Sequence, residues 1–208
     1  MLFRSIEGLL LNDIAGALWS TDGFQRVAVP QNLDRVVVAV DPPASSGGQA
    51  DACGIVVAGV AMQGAVQDWR AVVLEDASVT AASPLEWARA AVAAYHRHGA
   101  DRLVAEVNQG GEMVEAVLRQ VDPMVPYRAV RATRGKAARA EPVAALYEQG
   151  RVSHLHGLTA LEDQMVQMTA AGFAGRGSPD RVDALVWALH DLMIAPAAAW
   201  RNPRIRML

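Results

Sequence analysis

Runs of apolar residues form the first recognisable pattern along this chain. Arg35–Val40 (RVVVAV) is a continuous, mostly β-branched run, which is typical of a strand buried on both faces of a sheet. Two more apolar runs, at Gly54–Val60 and around Ala71–Leu74, follow at spacings too short for a helical crossover. The pattern therefore predicts that the first three strands form an antiparallel meander.

After residue 82 the pattern changes to alternating helices and strands. Ser83 matches a helix N-cap, Glu86 completes a capping box, and Gly99 is a natural stop. Further helices are predicted over residues 112–121, 137–149, 158–168 and 180–194, further strands over 102–107, 127–130 and 152–155, and a glycine-rich loop over 172–177. We predict an α/β fold whose mixed central sheet joins the antiparallel meander to parallel strands, with five core strands and helices on both faces.

Length and composition restrict the class of protein. With 208 residues, of which 52% are hydrophobic and 20% charged, the chain has the size and composition of one well-cored domain rather than of a disordered segment. We divide it into a lead-in or linker over residues 1–34, one domain over residues 35–196 and a basic tail over residues 197–208. No apolar run approaches the roughly 18 residues of a membrane-spanning helix, so we expect no membrane partner.

The single cysteine and a pair of histidines are interpreted as structural. Cys53 has no second cysteine to pair with, which fits a reducing cytoplasm, and we interpret it as a small packed side chain. His154 and His156 alternate along a short strand and could suggest zinc, but no cysteine or third close ligand accompanies them. We interpret these two histidines as a surface-facing pair.

Positive charge is concentrated in one stretch, although the formal net charge is −3. The stretch between Asp122 and Glu141 contains no acidic residue. Its basic residues are Arg128, Arg131, Arg134, Lys136 and Arg139. This cluster is either a solvated surface or a phosphate-binding surface, because local rather than net charge sets the attraction for nucleic acid.

Carboxylates occur at three places that an α/β sheet can bring together. Asp41 follows the first apolar run, so it emerges at the C-terminal end of a central strand. Glu106 lies inside the predicted strand LVAEV, where an ionised side chain is costly to bury without a partner. Asp180 and Asp183 lie three residues apart at the start of the last helix and so share a face.

Each acid alone has an ordinary explanation. Asp41 could begin a turn, and Glu106 could be half of an internal salt bridge. Asp180 could be a helix N-cap, with Asp183 one turn further in, where the helix macrodipole favours an acid. Their conjunction points instead to a divalent cation between them, and ligation by oxygen alone suits Mg²⁺ or Mn²⁺ rather than zinc.

The order of these motifs resembles the ribonuclease H-like nucleases and, within them, the C-terminal nuclease domain of the terminase large subunit of phages and gene transfer agents. The matching segments are GALW (16–19), VVVAVDPPAS (36–45), ADACGIVVAG (50–59), LVAEVNQGGEMV (103–114), RGKAARAEPVAALYEQGRV (134–152) and SPDRVDALVWAL (178–189). They span almost the whole chain in the family order. The resemblance implies a ribonuclease H-like nuclease domain over residues 35–196 that cuts concatemeric double-stranded DNA during capsid filling, with two metal ions.

The resemblance also implies roles for individual residues. The residues implied in catalysis and in binding Mg²⁺ or Mn²⁺ are Asp41, Glu106, Asp183 and, as a further ligand or supporting group, Asp180. Those implied in binding DNA phosphates are Lys136, Arg139, Arg134 and Arg131. Asp51 is either an additional acid near the metals or a turn former. Pro179 stands where the family frequently has His or Asp, so this chain departs from the family pattern near the second metal.

The implied partners are double-stranded DNA, the portal, the small terminase subunit and a packaging ATPase domain. That ATPase domain is not recognisable in this chain, which contains no G-x-x-x-x-G-K-[ST] motif. The Gly135–Lys136 pair has Val130 at the position of the first glycine and Ala137 where Ser or Thr should follow. We therefore expect either an excised domain or a separately encoded nuclease, acting in the cytoplasm of a bacterial host.

Two other interpretations stay open. Holliday-junction resolvases also have D-x-x-D-A on their last helix, although the extended match over residues 134–152 favours the terminase. The second alternative is a catalytically idle module that docks DNA or a portal. Retention of all four acids argues against it, because an idle site has no reason to keep uncompensated carboxylates together.

Overall fold

A seven-stranded mixed sheet forms the centre of the computed structural model, which describes residues 14–30, 32–43, 52–107 and 111–201. The strands are β1 (Gln25–Arg26), β2 (Arg35–Asp41), β3 (Gly54–Ala61), β4 (Arg70–Asp76), β5 (Arg102–Glu106), β6 (Tyr127–Val130) and β7 (Val152–His154). They lie across the sheet in the order β1-β7-β4-β3-β2-β5-β6. The β-branched run of β2 is fully buried from Val37 to Val40, as its sequence predicts.

The predicted meander and the predicted parallel strands are both confirmed. β3 runs antiparallel to β2 and to β4, with Val40 opposite Ile55 on one side and Ala71 opposite Val60 on the other. β5 runs parallel to β2, and β6 runs parallel to β5. Because β2 and β5 are parallel neighbours, their C-terminal ends meet at the same edge of the sheet.

The prediction of five core strands was too low. β7 pairs in parallel with β4, and β1 pairs in parallel with β7. β1 belongs to the segment that the sequence analysis treated as a lead-in or linker. Within that segment Trp19 and Phe24 are buried in the core. Large aromatic side chains remove much apolar surface from water when they are buried, which explains why this short segment is held against the sheet.

Helices cover both faces of the sheet, as predicted. They are α1 (Pro84–His98), α2 (Gly111–Val121), α3 (Lys136–Glu148), α4 (Thr159–Met165), α5 (Asp180–Leu189) and α6 (Ala195–Arg201). α1 and α2 pack on the face that presents Val38 and Ile55, whereas α3, α4 and α5 pack on the face that presents Ala39 and Val56. No helix in the described ranges combines the length and the apolar character needed to cross a membrane.

The boundaries of α1 follow from its local sequence. The backbone N–H of Ser83 donates to the Glu86 carboxylate at 2.8 Å, which confirms the capping box. Gly99 ends the helix in the left-handed region, at φ 54°, where glycine carries no steric penalty.

Two later boundaries differ from the prediction. The helix predicted to reach residue 168 ends at Met165, because Met168–Thr169 (β8) pairs with Gly172–Phe173 (β9) in a small hairpin. The Thr169 hydroxyl donates to the Gly172 carbonyl at 2.8 Å and stabilises this turn, where a loop was predicted. The last predicted helix, over residues 180–194, is divided into α5 and a π-helical turn at His190–Ile194, and α6 follows directly after it.

His154 is buried, so its interpretation as a surface residue was wrong, although His156 is exposed. Its Nε2 lies 2.7 Å from the Tyr147 hydroxyl, and its Nδ1 lies 2.7 Å from the Glu162 carboxylate. Glu162 also accepts a hydrogen bond from the Arg26 guanidinium at 2.6 Å. An imidazole is tolerated inside the core here because its ring nitrogens have partners. We call Arg26, Tyr147, His154 and Glu162 the histidine cluster.

Candidate metal centre

Four acidic side chains from three elements come together at one edge of the sheet. Asp41 ends β2, Glu106 ends β5, and Asp180 and Asp183 lie in the first turn of α5. The last three are buried, with Asp183 only 1% exposed. Pro179 holds the N-cap position of α5, so capping does not account for Asp180. We call these four residues the acid centre.

Close packing of α5 against β3 brings Asp180 towards Asp41. Gly54 lies opposite Asp41 in the β2–β3 ladder. A Cβ atom at position 54 would lie 2.0 Å from the backbone oxygen of Asp180, so this approach requires glycine. Arg181 secures the same end of α5, because its Nε donates to the Asp76 carboxylate on β4 at 2.8 Å.

Two basic side chains of α3 contact the acids. Arg139 donates from Nη1 to Glu106 at 2.8 Å and from Nη2 to Asp183 Oδ1 at 3.2 Å, so one guanidinium bridges two carboxylates. Lys136 Nζ lies 2.6 Å from Asp183 Oδ2. Glu106 is thus half of an internal salt bridge, as one interpretation held. Lys136 and Arg139, which the sequence analysis assigned to DNA phosphates, are in contact with carboxylates in this structure.

Trp187 belongs to this centre and was missed by the sequence analysis. Its indole N–H donates to Glu106 Oε2 at 2.6 Å, and the Arg139 guanidinium lies over its ring, 4.8 Å from the centroid. The signal was present in the sequence. Trp187 follows Asp183 by four residues and so shares its helix face, and a buried indole N–H requires an acceptor.

The negative charge of the acid centre is only partly compensated. Burial raises the pKa of Asp41 well above its ordinary value, and the charges of Asp183, Glu106 and Asp180 raise it further. Burial also raises the pKa of Asp183, in spite of the opposing effects of Lys136 and Arg139. Three neighbouring acids therefore act on Asp41 at short range, and deprotonation of the group is electrostatically unfavourable.

Two buried polar atoms in and beside the acid centre have no aligned hydrogen bond within the ranges that the structure describes. One is Asp183 Oδ2, whose 2.6 Å contact with Lys136 is a close ion pair without the alignment of a hydrogen bond. The other is Nε of Arg139. In this structure the positive charge next to Asp183 Oδ2 is that of Lys136.

The donor set fits Mg²⁺ or Mn²⁺, because hard divalent cations prefer oxygen ligands and all four groups are carboxylates. Among the described residues, however, no three acidic, histidine or cysteine side chains are already arranged as a metal-binding group. Lys136 and Arg139 instead contact oxygens of Asp183 and Glu106 in this structure.

The other predicted site residues lie around this centre or outside the description. Arg131 and Arg134 are exposed. Together with Arg139 they line a groove of about 370 Å³ between α3 and α5, which we call the α3–α5 groove. Asp51 lies outside the described residues. Cys53 is buried, as predicted, and burial together with nearby acidic charge raises the pKa of its thiol.

Comparison with known families identifies a terminase family. The family model described as "Terminase RNaseH-like domain" matches residues 38–192, a range that includes all four members of the acid centre. A comparison with curated proteins gives no significant match.

Solved terminase structures share the fold. A large terminase from a thermophilic bacteriophage, solved over a longer chain, has a TM-score of 0.61 and 11% identity over 91% of this chain and 48% of its own. The large terminase nuclease of the thermophilic phage G20c with bound magnesium has a TM-score of 0.58 and 15% identity, over 86% and 99%. The nuclease domain of gp2 from the bacterial virus Sf6 has a TM-score of 0.54 and 15% identity, over 77% and 90%. The chain therefore spans about half the length of the longer large terminase and nearly all of the G20c nuclease.

Proposed function

This chain belongs to the terminase ribonuclease H-like domain family, and on that premise we propose that it is a metal-dependent endonuclease. Its proposed substrate is concatemeric double-stranded DNA, cut while the DNA is packaged into a viral-type capsid. The observation that carries the proposal is the grouping of Asp41, Glu106, Asp180 and Asp183, contributed by β2, β5 and α5, at one edge of the sheet.

Asp41, Glu106 and Asp183 would hold two Mg²⁺ or Mn²⁺ ions, with Asp180 as a further ligand. Such a pair of cations supplies activation of the attacking water and charge stabilisation for the leaving 3′ oxygen. Trp187 and Arg139 orient the Glu106 carboxylate through its Oε2 atom. The G20c terminase nuclease, which has the same fold, has been solved with bound magnesium.

We assign DNA binding to the basic stretch before and within α3. Arg131 and Arg134 are exposed and not engaged with the acid centre, and Lys136 keeps 45% of its side chain exposed. Contacts from such residues to phosphates add affinity without reading sequence. Arg139 also contacts the acid centre, since its side chain is only 10% exposed and its terminal nitrogens lie against Glu106 and Asp183.

The remaining partners follow from the family rather than from the site. We propose that the chain works with a packaging ATPase domain, a portal and a small terminase subunit in the cytoplasm of a bacterial host. The longer large terminase, of which this chain matches 48%, is long enough to include a further domain.

A plasmid-cutting assay tests the catalytic proposal. Supercoiled plasmid is incubated with the chain in Mg²⁺, in Mn²⁺ and in EDTA, and nicked and linear products are expected only with the metals. Asp183→Asn should remove this activity, whereas Asp22→Asn, an exposed acid outside the acid centre, should keep it. Metal-independent cutting, or an active Asp183→Asn protein, would overturn the proposal.

The same preparation separates the two alternatives. A Holliday-junction resolvase would cut a four-way junction in preference to linear duplex of the same sequence, whereas a terminase nuclease cuts the linear duplex. A catalytically idle docking module would show no rise in Tm when Mn²⁺ is titrated in, because a ligand that does not bind the folded state cannot stabilise it.

A further inference from the structure

We propose that the α3–α5 groove binds one nucleotide of a DNA strand, with the nucleotide's phosphate on the arginines and its base or sugar on the apolar lining. The proposal deepens the proposed nuclease function and rests on it, since it states how DNA is held beside the acid centre.

The size and lining of the groove suit such a ligand. Its volume of about 370 Å³ lies in the range of pockets that hold small organic molecules. Three arginines, Arg131, Arg134 and Arg139, contribute positive charge. Pro142, Trp187 and Ile194 contribute apolar and aromatic surface. Positive charge beside apolar surface is complementary to a phosphate ester that carries a flat base.

Arg139 provides an independent indication that the groove takes an anion. Its side chain lines the groove, and its two terminal nitrogens are engaged with Glu106 and Asp183. Its Nε is buried and has no acceptor in the part of the chain that the structure describes. A buried donor without an acceptor is unfavourable, and a phosphate oxygen in the groove would supply the missing acceptor.

The aromatic lining favours a nucleotide over phosphate alone. The Trp187 ring contacts His190 edge-on, with 5.8 Å between ring centroids, and both line the groove. Burial lowers the pKa of His190, so its ring is neutral at neutral pH and offers one donor and one acceptor to a base. Because Arg139 contacts both the groove and the acids, a nucleotide held here has its phosphodiester next to the acid centre.

Titration in EDTA tests the groove without any cleavage. The full chain is titrated with a deoxynucleoside 5′-monophosphate, with the matching deoxynucleoside and with inorganic phosphate. Heteronuclear NMR follows the Arg139 Nε–H and the Trp187 indole N–H. Both signals should shift with the nucleotide, which should bind about tenfold more tightly than inorganic phosphate because the apolar lining adds contacts with the base or sugar.

Two matched variants complete the test. Arg134→Ala should weaken nucleotide binding about tenfold, as expected for loss of a charge-assisted phosphate contact. Arg89→Ala removes an exposed arginine from α1, on the opposite face of the sheet, and should change nothing. Equal affinity for inorganic phosphate and nucleotide, no shift of either signal, or equal losses in the two variants would each overturn the proposal. If the chain binds the nucleotide in EDTA but cuts no DNA with metal, the proposed nuclease function is refuted and nucleotide binding by the α3–α5 groove is still supported.

Discussion

The acid centre and the histidine cluster are two buried groups of charged side chains, and α3 contributes to both. Its first turns place Lys136 and Arg139 against the acid centre, and its last turn provides Tyr147 to the histidine cluster. Each cluster also joins strands to helices. The two differ in how completely their polar atoms are satisfied.

The histidine cluster is fully paired at its centre. Both ring nitrogens of His154 have partners, and both carboxylate oxygens of Glu162 accept hydrogen bonds from Arg26. Burial alone would raise the pKa of Glu162, but the hydrogen bonds from His154 and Arg26 outweigh it and lower the pKa. The folded state therefore stabilises the charged form of this acid.

In the acid centre the effect of burial on the pKa outweighs that of the neighbouring cations. The pKa values of Asp41 and Asp183 are raised, and the buried Nε of Arg139, beside these acids, has no acceptor among the described residues. Folding makes these acids harder to ionise although cations lie nearby. A cluster whose acids have raised pKa values is expected at functional sites. A cluster whose polar atoms all have hydrogen-bond partners stabilises the fold.

The largest effect expected from this difference is the response to Asp41→Asn. Cleavage should fall by at least about 100-fold, since even residues that only support a metal ligand cost 10–100-fold when changed. The Tm in EDTA should stay equal or rise, because the substitution relieves repulsion from Asp183 and Glu106. Plasmid cutting and calorimetry measure the two outcomes, with Asp22→Asn as the control. A fully active Asp41→Asn protein would show that Asp41 is only a turn former.

Glu162→Gln should have the opposite effect on stability. Arg26 would lose its charged partner, so the free energy of unfolding should fall by about 3 kcal/mol. That figure is the lower end for a broken buried pair, because the Arg26 side chain is 33% exposed. Urea unfolding in EDTA measures the change. The neighbouring Asp163→Asn should change stability little, and an equal loss in both variants would remove the distinction between the clusters.

Local patterns explain why much of the fold could be predicted from the sequence. The β-branched run of β2 and the capping box of α1 depend on neighbouring residues, and both are found where predicted. β1 was missed because two residues carry no periodicity of their own. Its place depends on pairing with β7 and on the burial of Trp19 and Phe24, which are long-range effects.

The candidate site also has features that the sequence predicts and features that it does not. The acids could be expected to group because Asp41 and Glu106 end neighbouring parallel strands. The partners of buried polar atoms could not be predicted, since a sequence shows a charge and not the group that it meets. For that reason the contact of Arg139 with Glu106 was not predicted, and His154 was placed on the surface. The roles of the four acids and of the basic residues stay predictions.

Gly54→Ala tests whether the close approach of α5 sets the acid centre. The added methyl would meet the backbone at Asp180, which cannot move without shifting the helix. Overpacking of this kind costs about 1–3 kcal/mol, measured by urea unfolding, and Mn²⁺ should then raise the Tm less than in the wild type.

Gly59→Ala, in the same strand, is the matched control for that substitution. Its Cβ would come closest to the Leu33 side chain, which can move, so the loss of stability should be smaller and the response to Mn²⁺ unchanged. Equal losses and equal metal responses in the two variants would contradict a special role for Gly54.

The smallest expected effect concerns pH and the histidine cluster. His154 faces Tyr147 and Glu162, stacks on Phe24 with 5.1 Å between ring centroids, and lies close enough to Arg26 for that charge to act on it. Burial lowers its pKa below 6.5 despite the charge of Glu162. The unfolded chain therefore binds a proton at this residue at a higher pH than the folded chain.

It follows that His154 contributes stability above pH 6.5. This contribution is lost as the pH falls through the pKa of His154 in the unfolded chain towards its lower pKa in the folded chain. The measurement is the free energy of unfolding of the wild type and of His154→Gln in EDTA, from about pH 8 to about pH 5. Glutamine retains a donor and an acceptor but does not titrate. Asp41 and His190 titrate in both proteins, so their contributions cancel in the difference. The advantage of the wild type over the variant should shrink as the pH is lowered below 6.5. If the difference in free energy of unfolding between the two proteins stays constant over the whole range, the His154 ring has the same pKa in the folded and unfolded chains. That result would contradict the lowered pKa of His154 in the folded chain.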